Sequence, residues 1–512
     1  MGPAVAFAVA VSVVIGTLFA TGSTLWVATD SGWYLKLAAD VAERGDLSND
    51  LFQFRPPAYP MFLAVLFRFF GAASGAAIIV SQHAMVIATA AFAALTAATL
   101  RPQALFVATA GLLTAICPYL SGYANTVLTE VPYALLIAAA VFFLVRAQVT
   151  DVSYYLAAAS ATAALAALTK GTGQIAVAVC VGAALCRGVQ RIRHASQRTS
   201  IATRAVALFR PIACSVVPAA TLLLPVMCWN YGRSGHFQLT CALGVELYAR
   251  AMITDKLGDA GHPALAHLEE TLDEAKRRGL VDPAATLRDH HALLSVYPLV
   301  HGGSRADAAD AMGRAATQLL MENVGAVLGR TLHYAYWMLV VPDPIYRVVP
   351  GRMPTDMFDI HEAHAAVERI VGAPVLAQYL PSRLEPGPMS ATLATLTNAY
   401  HDHIDRGAPI LGTGDTLYEE LVQVSLLGLT VGLFRRDRNR WLIPAAMLAG
   451  HVAISALLVG PVPRYTGPVL FLLWILLALA VATSYDVLRS LVVWMARPAV
   501  PRRRFATSAY IR

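Results

Sequence analysis

The sequence is short of charged residues. Only 14% of its 512 residues are charged and 57% are hydrophobic, whereas a soluble domain carries about 25% charged residues. Lysine occurs at four positions only, so the basic residues are nearly all arginine. This composition excludes a soluble globular protein and predicts a chain that crosses a membrane several times.

Paired cysteines and nucleotide-binding loops are also missing. The six cysteines show no Cys-x-x-Cys spacing, and five of them lie in apolar runs. The pattern therefore predicts neither a zinc site nor a disulfide framework. Gly-x-Gly-x-x-Gly and Gly-x-x-x-x-Gly-Lys-Ser/Thr loops are absent, so a mechanism driven by a cytosolic nucleotide is not indicated. The sequence predicts no cofactor and leaves dependence on a divalent metal open.

Apolar runs fill much of the chain, and a helix needs about 20 apolar residues to cross a bilayer. The runs cover residues 2–25, 75–100, 103–122, 131–147, 153–169, 172–187, 208–228, 409–434, 441–460 and 465–485. Hydropathy thus predicts an all-α polytopic membrane protein with roughly ten transmembrane helices. The first run lacks a charged leader and is longer than the apolar part of a signal peptide, so we expect it to be retained.

Arginine clusters indicate the orientation of the chain. They gather at 187–210, at 435–440 and in the tail 486–512, and short loops rich in Lys and Arg face the cytoplasm. Counting spans from a cytoplasmic N-terminus puts the same loops inside, provided that 57–71 and 322–342 do not cross. Each of these two segments has a cation near its middle, which favours a helix lying at the interface.

This topology divides the chain into four parts. They are a membrane module at 1–228, an extracytoplasmic region at 229–408, C-terminal transmembrane helices at 409–485 and a basic cytoplasmic tail at 486–512. The extracytoplasmic region carries acidic residues throughout and shows helical patterns at 264–280 and 306–320. The first outer loop, at 29–74, belongs to the membrane module.

The first outer loop opens with an acid, Asp30, where the first apolar run ends. A helical pattern follows and ends at Gly45. Arg55-Pro56-Pro57 then predicts an extended corner, because the residue before a proline is pushed out of the helical region. An apolar helix over 59–70 is too short to cross a bilayer. The loop therefore places an acid and a cation on the same face of the membrane.

This loop resembles the first external loop of the class C (GT-C) glycosyltransferases. The resemblance is strongest to bacterial protein O-mannosyltransferases and the lipid A aminoarabinose transferase, of glycosyltransferase families 39 and 83. The matching residues are Asp30, Tyr34 to Ala38, Gly45, Arg55 to Pro60 and Phe70-Gly71. The family often begins the loop with Asp-Glu, whereas this chain has Asp30-Ser31, so a second acid at this place is missing.

The resemblance implies a fold and an activity. The GT-C fold is a bundle of membrane helices with juxtamembrane helices in the first outer loop and a mainly helical outer domain. The activity implied is that of an inverting hexosyl- or pentosyltransferase of the bacterial inner membrane. Its donor would be a sugar on a polyprenyl phosphate, and its acceptor a lipid, glycan or protein at the outer face. No nucleic-acid partner is expected.

Charges at the predicted outer rim form one candidate site. Asp30, in the position of the family's catalytic acid, suits the general base that takes the acceptor proton. Glu130, at the start of a span, is a second candidate acid. Arg55, Lys170 and Arg464 match family positions and would bind the donor phosphate, whose charge grows in the transition state.

Aromatic residues beside these charges are the predicted substrate contacts: Tyr34, Tyr59 and Tyr465. The charged residues also have structural interpretations. Asp30 is a candidate helix cap and Glu130 a partner for a helix dipole.

Arg55 and Lys170 also have a structural interpretation: their long side chains would place the charge at the membrane–water interface. Two other function classes stay open as well. A transporter or flippase of lipid-linked sugars holds its charges near the bilayer midplane, whereas these charges cluster at one margin. A polymerase or ligase of lipid-linked glycans would use a diphosphate donor.

Histidines occur in three close pairs, at His290-His291, at His361 and His364, and at His401 and His403. Two histidines at helical spacing beside acids are candidate metal ligands. No further paired ligands accompany them, so the pattern favours exposed loop histidines.

Overall fold

The structure, a computed structural model, is built from helices. It describes residues 2–22, 25, 27–28, 30–194, 200–340, 367–380, 416–434, 438–458 and 467–495. No β-strand occurs in these ranges. The predicted all-α fold class is confirmed.

The helices follow the predicted apolar and amphipathic segments. In chain order they are α1 (Gly2–Gly22), α2 (Ser31–Arg44), α3 (Ala58–Phe70), α4 (Ser74–Leu100), α5 (Ala104–Ala115), α6 (Pro118–Ala124), α7 (Glu130–Thr150), α8 (Ser153–Thr169), α9 (Gln174–His194), α10 (Ile201–Ser234), α11 (Ala242–Ala249), α12 (Ala266–Arg277), α13 (His290–His301), α14 (Arg305–Glu322), α15 (Val324–Val340), α16 (Ala373–Tyr379), α17 (Leu417–Phe434), α18 (Arg438–Leu458) and α19 (Leu470–Met495). The patterns at 264–280 and 306–320 thus correspond to α12 and α14.

Six helical stretches within the described residues are long and apolar enough to cross a membrane. They are Ala58–Leu100, Glu130–Thr150, Gly171–Arg193, Ile201–Ser234, Trp441–Leu458 and Leu470–Ser490. Helices α1, α5, α8 and α17 occupy the other four predicted runs, and α1 and α5 are apolar but shorter. The chain is a multi-pass membrane protein, while the total of roughly ten spans and the division into four parts stay predictions.

The first of these stretches is broken at Gly71. This residue has φ 50° and ψ −122°, a conformation that glycine adopts without the clash of a Cβ. The break leaves α3 as a separate helix of 13 residues. At about 1.5 Å per residue such a helix is too short to span a bilayer, as expected for 57–71.

The first outer loop is held in one shape by polar contacts around Asp40. This buried carboxylate accepts hydrogen bonds from Lys36 at 3.2 Å, Arg44 at 2.5 Å and Asn49 at 2.8 Å. Gly45 ends α2 in the left-handed conformation, at φ 63°, which glycine tolerates best. The loop therefore leaves α2 in a fixed direction and leads into the proline corner.

Helices α11 to α14, which we call the outer domain, enclose a second apolar core. Tyr248, Leu265, Leu293 and Met312 are buried in it, and so is Phe54 of the first outer loop. Backbone and side-chain contacts join the same two parts: the Cys241 N–H donates to Gln53 O at 2.7 Å and Thr240 Oγ1 to Phe54 O at 2.6 Å. The outer domain is therefore docked on the loop that carries Asp30 and Arg55.

The predicted orientation gives a labelling result. In a background without the six native cysteines, Ser200→Cys is expected to react with a membrane-impermeant maleimide only from the cytoplasmic side. Leu280→Cys is expected to react only from outside, because the predicted topology places residues 229–408 on that side. Outside labelling at position 200 would reverse the topology and move Asp30 to the cytoplasmic face.

Candidate functional site

Asp30 and Arg55 form an ion pair across the first outer loop. Arg55 Nη2 donates to Asp30 Oδ1 at 2.7 Å, and the two side chains keep 15% and 20% of their surface exposed. The guanidinium lies over the Phe54 ring at 4.8 Å and the Tyr34 ring at 5.4 Å, which restricts its rotation. The corner at Pro56 thus presents the cation to the acid at the end of the first apolar run.

Asp30 occupies the N-cap position of α2, yet its side chain makes no cap hydrogen bond to that helix. The structural interpretation as a helix cap therefore lacks its defining contact. Its neighbour Ser31 is fully buried and has a structural role. The Ser31 hydroxyl accepts a hydrogen bond from the Ala28 N–H and donates one to Val127 O, both at 2.8 Å. At the position where the resembling family often has a second acid, this chain therefore has a serine that fixes the backbone.

Glu130 and Lys170 form a second ion pair. Lys170 Nζ donates to Glu130 Oε1 at 3.0 Å, with 12% and 2% of the respective side chains exposed. Glu130 is the first residue of α7, and Lys170 follows α8 directly in an extended conformation. Forty positions separate the two residues in the chain, but the antiparallel helices bring their ends together.

Tyr34 lies beside the Asp30–Arg55 ion pair, and Tyr59 packs against Tyr34. Their rings are edge to face, with centroids 5.2 Å apart, and Tyr59 Oη donates to Gln82 Oε1 at 3.2 Å. Burial raises the pKa of Tyr34, Arg55 acts to lower it, and Asp30 and Glu130 act to raise it further. The Tyr34 ring therefore contacts both the Arg55 guanidinium and the Tyr59 ring.

Thr240 contacts both turns that carry a cation, the turn at Arg55 and the turn at Lys170. No motif in the sequence predicts this contact. Its hydroxyl donates to the carbonyl of Phe54, the residue before Arg55. On the other side, a Cβ at Gly171 would lie 3.2 Å from Thr240 Cγ2. A side chain larger than glycine after Lys170 would therefore disturb the packing that holds both turns.

The structure thus brings together six of the predicted site residues: Asp30, Tyr34, Arg55, Tyr59, Glu130 and Lys170. Arg464 and Tyr465, the remaining predicted site residues, lie outside the described residues. The catalytic and binding roles of all eight residues stay predictions.

No group of three or more His, Cys, Asp or Glu side chains suited to a metal ion occurs in the described ranges. His361, His364, His401 and His403 fall outside these ranges.

Comparison of the sequence with protein families and with curated proteins finds no match. Comparison of the fold with solved structures finds several. One is the archaeal oligosaccharyltransferase AglB from Archaeoglobus fulgidus, in complex with an inhibitory peptide and a dolichol-phosphate, at 12% identity and a TM-score of 0.46. The match covers 96% of this chain and 52% of AglB, so the chain spans about half the length of that protein.

Two further structures match over most of the present chain. ArnT from Cupriavidus metallidurans, bound to undecaprenyl phosphate, has 17% identity and a TM-score of 0.35, with 94% of this chain and 79% of ArnT covered. The arabinosyltransferase EmbB from Mycobacterium smegmatis has 14% identity and a TM-score of 0.33, with 93% and 41% covered. All three structures match this chain at less than 25% identity and at TM-scores below 0.5.

Proposed function

We propose that the protein is an inverting glycosyltransferase that moves a sugar from a polyprenyl phosphate to an acceptor hydroxyl at the outer face of a bacterial inner membrane. The proposal rests on two neighbouring ion pairs at one end of the helix bundle. They are Asp30–Arg55 and Glu130–Lys170. The resemblance of the first outer loop to the GT-C enzymes supports the same activity.

Asp30 would act as the general base. Its carboxylate is partly exposed and is held by Arg55 through Oδ1. A base must reach the proton it removes within hydrogen-bond distance, and an acceptor hydroxyl can approach from the exposed side. Attack on the anomeric carbon from the face opposite the phosphate inverts the sugar in one step, so no second carboxylate needs to act as a nucleophile.

Arg55 and Lys170 would hold the departing phosphate. Both cations lie at the ends of helices or turns at one rim, and each already contacts one carboxylate. The two ion pairs together are electrically neutral. A bound phosphate would therefore give the site a net negative charge. Arg464, which the sequence predicts for the same rim, would supply a compensating cation, and fixed cations of this kind stabilise charge in the transition state.

The position of the charges favours an enzyme over a transporter. Transporters hold their coupling sites near the bilayer midplane, where helices are interrupted. Here Asp30 precedes α2, Glu130 begins α7 and Lys170 follows α8. The charged groups therefore lie at helix ends, where a lipid headgroup and a water-soluble acceptor can meet.

A transfer assay tests the proposal. Purified full-length protein would be given polyprenyl monophosphate or diphosphate carrying a radiolabelled hexose or pentose. The acceptors would be an octyl glycoside, a Ser/Thr-containing peptide and total membrane lipid. We expect label to move from a monophosphate donor with inversion at the anomeric carbon. Transfer only from the diphosphate would identify a polymerase or ligase, and donor movement across liposomes without transfer would identify a flippase.

The Arg55 side chain gives a further prediction. Arg55→Ala is expected to weaken the binding of a sugar-free polyprenyl phosphate about 10- to 150-fold, since a charge-assisted hydrogen bond contributes about 1.5–3 kcal/mol. Arg55→Lys is expected to recover part of this loss, because it keeps the charge but not the planar fork. Arg68→Ala, which removes an exposed cation of α3, is the matched control. Equal affinity in all three variants would remove Arg55 from the phosphate site.

A further inference from the structure

We propose that Thr240 is a positioning residue that sets the spacing of the two cations Arg55 and Lys170, and thereby the shape of the donor-phosphate site. The inference rests on the proposed glycosyl transfer and adds to it the contact that holds the site together. Thr240 is buried, so it acts through the two turns and not by touching the substrate. It belongs to residues 238–241, which lie between α10 and α11 and which we call the linking segment.

The hydroxyl end of Thr240 holds the backbone that carries Arg55. Thr240 Oγ1 donates to the carbonyl of Phe54 at 2.6 Å. The next residue, Cys241, donates its N–H to the carbonyl of Gln53 at 2.7 Å. Two consecutive residues of the linking segment thus bond to the two residues immediately before Arg55, so the segment cannot shift without moving the backbone of this cation.

The methyl end of Thr240 packs on the turn that carries Lys170. A Cβ added to Gly171, the residue after Lys170, would lie 3.2 Å from Thr240 Cγ2. The neighbouring Leu239 shares a buried apolar cluster with residues 167–168, in the last turn of α8. The linking segment therefore packs on the chain both before and after Lys170.

The linking segment has its own support on α10 and α11. The side chain of Asn230, which is 1% exposed, donates from Nδ2 to the carbonyls of Gln238 and Leu239 at 2.9 and 3.0 Å. The Ala242 N–H donates to Thr240 Oγ1 at 3.2 Å. The hydroxyl thus accepts from one side and donates to the other, and its orientation is fixed before either turn is considered.

One side chain therefore acts on both cations through its two ends. A hydrogen bond weakens steeply as its distance and angle depart from the optimum, so a phosphate shared by Arg55 and Lys170 needs both side chains in place at once. The turns come from separate parts of the chain, and Thr240 contacts each of them directly. Its hydroxyl would place the first cation and its methyl group the second.

Thr240→Val tests the hydroxyl end, because it keeps the shape and the methyl group. Binding of sugar-free polyprenyl phosphate to the purified full-length protein is expected to weaken about 2- to 12-fold, as for the loss of one neutral hydrogen bond. In an Arg55→Ala background the same change is expected to alter affinity by less than about twofold, because the cation that it positions is gone. Thr271→Val, which removes a buried hydroxyl that donates to His267 O at 2.7 Å in the outer domain, is the control and should bind normally.

Moving a methyl group across the contact tests the other end. Gly171 lies outside the positive-φ region, so an alanine there is not strained in itself. Gly171→Ala should crowd the Lys170 turn and Thr240→Ser should loosen it, and each is expected to weaken binding about 3- to 10-fold. The double variant Gly171→Ala/Thr240→Ser keeps the packed volume and the hydroxyl. It is expected to return to within about twofold of the wild type.

The outcomes separate a positioning role from a merely structural one. Losses that add in the Gly171/Thr240 double variant, or an equal effect of Thr240→Val with and without Arg55, would overturn the proposal. So would a lower thermal stability of Thr240→Val at unchanged affinity. If the wild type binds no polyprenyl phosphate, the proposed function fails and the role of Thr240 fails with it. If the wild type binds and transfers while all Thr240 and Gly171 variants bind equally well, only the positioning role fails.

Discussion

Replacing Asp30 with Asn is expected to lower the rate of sugar transfer about 100- to 10,000-fold, as for the loss of a general base. The amide keeps the shape of the side chain and can still accept the hydrogen bond that Arg55 donates at 2.7 Å. It cannot take a proton from the acceptor. The variant should therefore fold, insert and bind polyprenyl phosphate, and the measurement is single-turnover transfer from a loaded donor at saturating acceptor.

Asp46→Asn is the matched control for this experiment. Asp46 belongs to the same loop and accepts a hydrogen bond from the Ser48 N–H at 2.7 Å, which an Asn side chain can also accept. This variant is expected to transfer sugar at the normal rate. If Asp30→Asn also keeps nearly normal turnover, Asp30 is a structural residue, and Glu130 becomes the leading candidate for the base because it is the other acid at this rim.

Removing Lys170 is expected to destabilise the protein strongly. Glu130 is 2% exposed and accepts a hydrogen bond from Lys170 at 3.0 Å, so Lys170→Met would leave a buried carboxylate without its cation. Breaking a buried ion pair on one side costs roughly 3–5 kcal/mol. Denaturant unfolding in detergent micelles measures this loss, and the double variant Glu130→Gln/Lys170→Met is expected to recover most of the stability.

The double variant also separates the two roles assigned to Lys170. If Lys170 binds the donor phosphate, the double variant regains stability but still binds polyprenyl phosphate weakly. If Lys170 only neutralises Glu130, both properties return together. The exposed pair Asp310–Arg314 on α14 is the control, because Arg314→Met is expected to cost less than about 1 kcal/mol, as surface ion pairs do. A loss at Lys170 no larger than that at Arg314 would contradict the buried-pair interpretation.

Several features follow from local sequence and could be predicted without the structure. The apolar runs predict membrane helices, because a segment must be long and apolar to cross a bilayer, and six of the runs coincide with helical stretches that meet this condition. Gly45 ends α2 and the prolines after Arg55 form a corner, because both residue types act on their own backbone. Asp30 and Arg55 therefore lie in one loop on the same face as a consequence of sequence alone.

The partners of the charged side chains were decided only by the tertiary structure. Lys170 contacts Glu130, and Ser31 bonds to Val127, 96 positions away, and no local period encodes such distances. Phe54 joins the core of the outer domain, far from it in the sequence. Hydropathy and turn chemistry act over a few residues, whereas a site built from separate segments depends on how their surfaces pack.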